Sequence, residues 1–190
     1  MKWAPLLLAG VVWSAPPAAA HQEPVPDGVA HEGTLSFDAK ASAGDFTGLT
    51  STVSGELKGA KDLALVRGWV EAPVSSLTTG NGRRDRDLNK VMESAAYPAL
   101  RFELDSVEIA TGTSDSLPAT LKGHLTLHGV TQEVSLPAAL TMLPDGVRVR
   151  TSFPLNVKDY KVKGLSKFLG VLKMDEHIVV HVDVTFGYSH

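Results

Sequence analysis

From about residue 33 onward the chain alternates apolar and polar positions with a period of two, the pattern of strands that bury one face. Leu35, Phe37 and Ala39 alternate with Thr34, Ser36 and Asp38. Leu49, Val53 and Leu57 sit among Thr50, Thr52, Ser54 and Glu56 and read as a second strand. Leu63, Leu65 and Trp69 share one parity, and Ala64, Val66 and Val70 the other, so this segment is apolar on both faces and is expected to be a central strand. Later, Leu100, Phe102 and Leu104 oppose Arg101, Glu103 and Asp105, while Leu121, Leu125 and Leu127 oppose Lys122, His124 and His128. Val134 and Leu136 come next, then Val147, Val149 and Phe153. The last run is Ile178, Val180, Val182, Val184 and Phe186. Turn pairs such as Asp145-Gly146 separate the runs. About eight strands with mostly short connections predict an all-β antiparallel meander closed into a barrel, because closure removes exposed strand edges. A sandwich is the structural alternative.

Two segments break the alternation. Leu88, Val91 and Met92 have helical spacing, with Asp85 placed to cap the run and Pro98 to end it, which predicts one short helix. Lys158 to Lys173 is basic and punctuated by glycine, and reads as an ordered loop or a flap over a barrel mouth.

The chain ends and the composition narrow the function. Lys2, an apolar run from Leu6 to Trp13 and the small residues Ala18 to Ala20 form a secretory leader expected over residues 1–20. The run is shorter than the ~20 apolar residues that cross a bilayer, and no integral membrane segment is expected in the mature chain. Residues 21–32 carry two prolines and no periodicity, and read as a flexible N-terminal segment, frayed or docked on a strand edge, before a single domain over 33–188. The chain has no cysteine, so neither a disulfide framework nor a lipidated cysteine is available. Eighteen basic and 21 acidic residues, a formal net charge of −3, lack the basic excess of a nucleic-acid binder. No nucleophile elbow, phosphate loop or metalloprotease helix motif occurs, and no enzyme activity is expected.

Ser76-Leu-Thr-Thr-Gly-Asn-Gly-Arg-Arg-Asp-Arg-Asp-Leu, with Tyr97-Pro-Ala-Leu-Arg-Phe after it, resembles the YceI-like family pattern of T-G-N, R-D-x-x-L and Y-P-x-[IL]-x-F. Gly123-His-Leu-Thr-Leu-His-Gly-Val-Thr is similar to that family's hairpin, and Phe153-Pro-Leu-Asn-Val-Lys-Asp-Tyr-Lys-Val to its C-terminal part. The order of the three motifs is the family's, and together they span nearly all of the mature chain. One departure is Lys161, where the family commonly has glycine. The resemblance implies an antiparallel eight-stranded lipocalin-like barrel, periplasmic or secreted; the expected state is a monomer or a homodimer. It would hold a polyisoprenoid or quinone-type lipid and need no other cofactor.

On that reading Leu35, Phe37, Trp69, Leu100, Phe102, Leu125, Leu127 and Phe153 are the candidate wall residues of a lipid cavity. The competing expectation is a filled core, which small barrels often have. Asn81, Arg83, Arg84 and Arg86 are candidates for holding a lipid head group at a helix N-terminus, or for tying the loop to the barrel end with Asp85 and Asp87 as counter-ions. The histidine pairs 124/128 and 177/181 support an alternative reading as a metal-binding or redox-stress protein. Residues i and i+4 on a strand lie ~13 Å apart, however, so neither pair can chelate one ion and no metal site is expected.

Overall fold

The computed structural model describes residues 24–42, 44–110, 116–163 and 174–189. The leader expected over residues 1–20, and residues 164–173 of the predicted loop or flap, lie outside them. Among the described residues nine strands and one α-helix occur in the order β1 (Gly28–Ala41), β2 (Phe46–Thr50), β3 (Ser54–Lys58), β4 (Arg67–Pro73), α1 (Gly82–Val91), β5 (Ala99–Ile109), β6 (Ser116–Leu127), β7 (Val130–Leu143), β8 (Gly146–Asn156) and β9 (Met174–Tyr188). Every neighbouring pair is antiparallel, and β9 returns to pair with β1 from Gly28↔Tyr188 to Ala41↔Met174, which closes the barrel.

The nine strands make eight staves. β2 and β3 lie along the same edge of β1 in one continuous register, with Leu35 opposite Thr50 and Gly28 opposite Leu57. The stave is interrupted at residues 51–53, and the segment beside the break is held by side groups and by residues 76–78. Leu49 exchanges both main-chain hydrogen bonds with Thr78, at 2.8 and 2.9 Å. The Thr50 hydroxyl accepts the Thr52 N–H and bonds the Ser76 hydroxyl. The single strand expected from Leu49 to Leu57 is therefore real as a stave and broken as a ladder.

Three boundaries differ from expectation. β1 begins at Gly28 rather than residue 33, and Val25 already pairs with Ala60, so of the two readings of the N-terminal segment the docked one holds from Val25 onward. Leu63–Leu65 is a single 3-10 turn whose Ala64 N–H is capped by the Asp62 side chain; the expected central strand starts only at Arg67. The cap of α1 is Asn81, which accepts the N–H groups of Arg83 and Arg84, and not Asp85.

The two ends of the barrel are built differently. At one end, which carries the start of β1, the end of β9 and the Leu143–Gly146 turn, Leu57, Val66, Val107, Ala119, Leu140 and Val147 are buried members of the core. The other end carries α1, the chain that follows Asn156, and a two-residue turn, His128-Gly129, between β6 and β7. His128 and Gly129 both have positive φ, 50° and 72°, as the favoured hairpin turn with the twist of its strands requires.

Candidate functional site

Between α1 and the solid end the barrel is hollow. The cavity measures about 150 Å³, roughly ten times the space that one enclosed water needs. Small barrels often fill such a space with side chains; here it is not filled. Of the eight residues expected to form its wall, Leu35, Phe37, Leu100, Phe102, Leu125, Leu127 and Phe153 line it. They come together because alternate positions of neighbouring strands point to one face, and the registers Phe102↔Leu125 and Phe153↔Val180 put those faces side by side.

Trp69 does not line the cavity. Val70 and Ala72 of the same strand do, which leaves Trp69 on the opposite parity. Its ring instead carries the Arg101 guanidinium 4.5 Å above the centroid, and Arg101 bonds Glu71 at 3.1 Å and Glu103 at 2.9 Å. The mistaken assignment follows from reading Leu63 and Leu65 as part of Trp69's strand. Those leucines belong to a helical turn and say nothing about its parity.

Sequence reasoning missed the roof. Leu77 and the apolar stripe of α1, Leu88, Val91 and Met92, close over the cavity, joined by Val157 and Val162 from the chain after β8. The helical spacing was visible, but what the stripe covered was not. It also missed β9 altogether, where Ile178, Val180, Val182, Val184 and Phe186 form one continuous wall. These residues were on one parity in the sequence, and the inward side of that parity was the missing information.

The polar motif before α1 is a brace. Asp85 accepts the Thr79 N–H at 2.8 Å, the Thr79 hydroxyl at 2.6 Å and the Thr78 hydroxyl at 3.1 Å. Burial pushes the Asp85 pKa up, but these hydrogen bonds and the nearby charge of Arg84 outweigh it and hold the carboxyl below its ordinary value. Arg84 donates to the Thr79 hydroxyl at 3.0 Å and lies 4.4 Å over the Phe46 ring. Phe46 meets Phe37 edge to face at 6.2 Å, and Phe37 reaches the cavity across Gly48, where a Cβ would collide with its ring. Asn81 caps the helix, and Arg83 and Arg86 are exposed. Of the four head-group candidates, Asn81 and Arg84 are thus occupied in holding the roof.

The histidines are dispersed. His124 pairs with Asp105 at 2.7 Å, His177 with Asp175 at 3.3 Å, and His181 with Asp38 at 3.1 Å. Among the described residues no group of three His, Asp or Glu side chains is placed to hold a metal ion. His181 also bonds Ser152 at 3.0 Å, which makes a Ser–His–Asp row across three strands on the outer face. The backbone N–H groups around it are engaged in the strand ladders, so the row lacks the converging donors of an oxyanion site. His128, expected on the surface, is 9% exposed. Its Nδ1 faces the Tyr160 carbonyl at 3.2 Å, so that nitrogen carries the proton, and its ring lies 4.6 Å from that of Tyr97.

The fold recurs in known structures. A polyisoprenoid-binding domain from Saccharophagus degradans, described as implicated in plant cell wall breakdown, superposes with a TM-score of 0.72 at 14% identity, covering 87% of this chain and 99% of that one. BcnA of Burkholderia cenocepacia gives 0.67 at 15% identity, over 80% and 95% of the two chains. The YceI protein of Campylobacter jejuni gives 0.58 at 16%, over 75% and 85%. A search of curated protein sequences returned no match. The sequence model of the YceI-like domain matches residues 29–186, nearly the whole barrel from β1 into β9, and the chain belongs to that family.

Proposed function

We propose that this protein binds a single long-chain apolar lipid, a polyisoprenoid such as a prenyl quinone, inside the hollow half of its barrel, and sequesters or carries it after export to the periplasm or the medium. The observation that carries this reading is the cavity itself: a helix-roofed space lined almost wholly by aliphatic and aromatic side chains. A hydrocarbon chain entering it leaves water, at about 25 cal/mol for each Å² of apolar surface buried. A few hundred Å² can outweigh the entropy lost in ordering the chain. The process is burial and needs no nucleophile, metal or proton transfer, so we read the protein as a binder and not an enzyme. The polyisoprenoid-binding neighbour supports the ligand class, and the leader-like first twenty residues support export. No helix among the described residues is long and apolar enough to cross a membrane.

Organic extraction of the purified protein, with native mass spectrometry of the intact complex, tests the reading. A long-chain isoprenoid released in stoichiometric amount is the expected result. A protein that is lipid-free and also fails to take up prenyl quinones would overturn it. Phe102→Arg, which puts a charge on the wall, should abolish uptake, whereas Trp69→Ala on the outer face should leave uptake unchanged.

A further inference from the structure

Phe186 stands where the hollow half of the barrel meets the solid half. It lines the cavity and yet is only 1% exposed. On its own row of the sheet it pairs with Val147 on one side and Ala30 on the other, and Val147 belongs to the solid packing. Its ring reaches past β1 toward β3, where a Cβ on Gly55 would lie 3.2 Å from the ring edge. The staves it crosses are made small enough for this by Gly28 and Ala30 on β1 and by Gly55 on β3. One row above, Val184 packs against Gly33 in the same way, with its Cγ2 3.1 Å from where a Cβ would stand. Phe186 is thus a cross-barrel plug laid on a floor of glycine and alanine.

We propose that Phe186 sets the depth of the cavity and so the longest chain that the barrel admits. This inference rests on the lipid-binding reading and adds a length limit to it. The rows Leu155↔Ile178 near the roof and Val147↔Phe186 at the floor bound the space. At ~3.3 Å per residue along strands tilted by ~40° they are ~20 Å apart along the barrel axis. A chain longer than that meets the Phe186 ring, which is buried together with its neighbours Val147 and Val184. The ligand class is therefore one hydrocarbon tail of bounded length, entering from the roof, with its polar end left at α1. A longer tail must fold back or leave its excess in water, and neither gains further burial.

The test uses delipidated full-length protein and a series of lengthening prenyl alcohols: geraniol, farnesol, geranylgeraniol and solanesol. Binding is read by displacement of a fluorescent apolar probe. Affinity of the unmodified protein should climb with chain length and then stop. Phe186→Ala should move the stop to a longer alcohol, with at least tenfold tighter binding of the first alcohol beyond the original limit. Val149→Phe, which builds the floor upward from the neighbouring row, should move it to a shorter one. If Phe186→Ala does not fold, Phe186→Leu and Val149→Phe carry the test in its place. An unchanged limit in the folded variants, with binding intact, overturns the depth assignment and leaves the lipid reading standing. Failure of the unmodified protein to bind any of the alcohols overturns both.

Discussion

The two halves of this barrel use the same strands and the same alternation, yet one is packed solid and the other is hollow. At the solid end small and large residues interlock: Ala119 and Val107 beside Leu140, Val147 and Leu57, all buried. At the hollow end the wall residues Leu35, Leu100, Phe102 and Leu125 are only partly buried, because they face empty space and not one another. Stability and binding are thereby divided along the axis. A binding cavity is a packing defect, and a small cysteine-free barrel can keep one only if the rest of its core is well filled and the open end is braced by other means. Here the brace is polar: Asn81, Arg84 and Asp85 fix the loop before α1, and α1 supplies the roof.

That division makes unequal costs for equal substitutions. Leu140→Ala at the solid end should cost about 3–5 kcal/mol, as large-to-small changes in close-packed cores do, whereas Leu125→Ala should cost under about 2 kcal/mol, since part of its surface meets no neighbour to lose. Urea unfolding of the ligand-free protein measures both, and equal costs would break the comparison. Next in size is Asp85→Ala, expected to cost about 1–3 kcal/mol by orphaning the Thr78 and Thr79 groups it accepts. It should also change the acid response. The folded pKa of Asp85 lies below the ordinary aspartate value of 3.8, so its contribution is complete above that pH and is lost as the pH falls through the lower, folded value. Stability curves of the parent and Asp85→Ala should therefore converge below about pH 4 and run parallel above it.

Asn81→Ala removes only the helix cap and should cost about 1 kcal/mol. Hydrogen exchange should show the loss as faster opening of α1, with the amides of β6 and β8 at the solid end unaffected. The smallest effect is a gain. Lys161 holds φ 59° and ψ 19° after the turn at Val157–Tyr160, the left-handed region that costs a side chain about 1 kcal/mol or more. Lys161→Gly should relieve that strain, less the extra freedom it gives the unfolded chain, for a net stabilisation of about 0.5 kcal/mol. A decrease in melting temperature would show that the lysine side chain makes a compensating contact.

Much of this was legible in the sequence because a half-buried strand writes its inward face as every second residue. Leu35, Phe37, Leu100, Phe102, Leu125, Leu127 and Phe153 were recoverable on that basis. Trp69 was not, since two leucines in a 3-10 turn imitate a strand parity that the backbone never adopts. The break between β2 and β3 was hidden because the Thr50 hydroxyl that takes up the Thr52 N–H is itself held by Ser76, more than twenty residues away, and local patterning carries no trace of it. Periodicity also does not report volume. Filled and hollow barrels have the same alternation, and only the three-dimensional sum of side-chain sizes separates them.

The pairing of β1 with β9 gives the cavity a particular history. The first and last strands of the barrel form its seam, running from Gly28↔Tyr188 to Ala41↔Met174, and the Ser189 N–H bonds the Asp27 carbonyl beyond it. β9 supplies one whole stave of the cavity wall, from Met174 to Phe186, so a nascent chain lacking that strand has an open curved sheet and no enclosure. Cargo cannot be trapped during synthesis of the earlier strands. Closure and the creation of the binding site are one late step, and any lipid the protein carries must enter a barrel that is already complete.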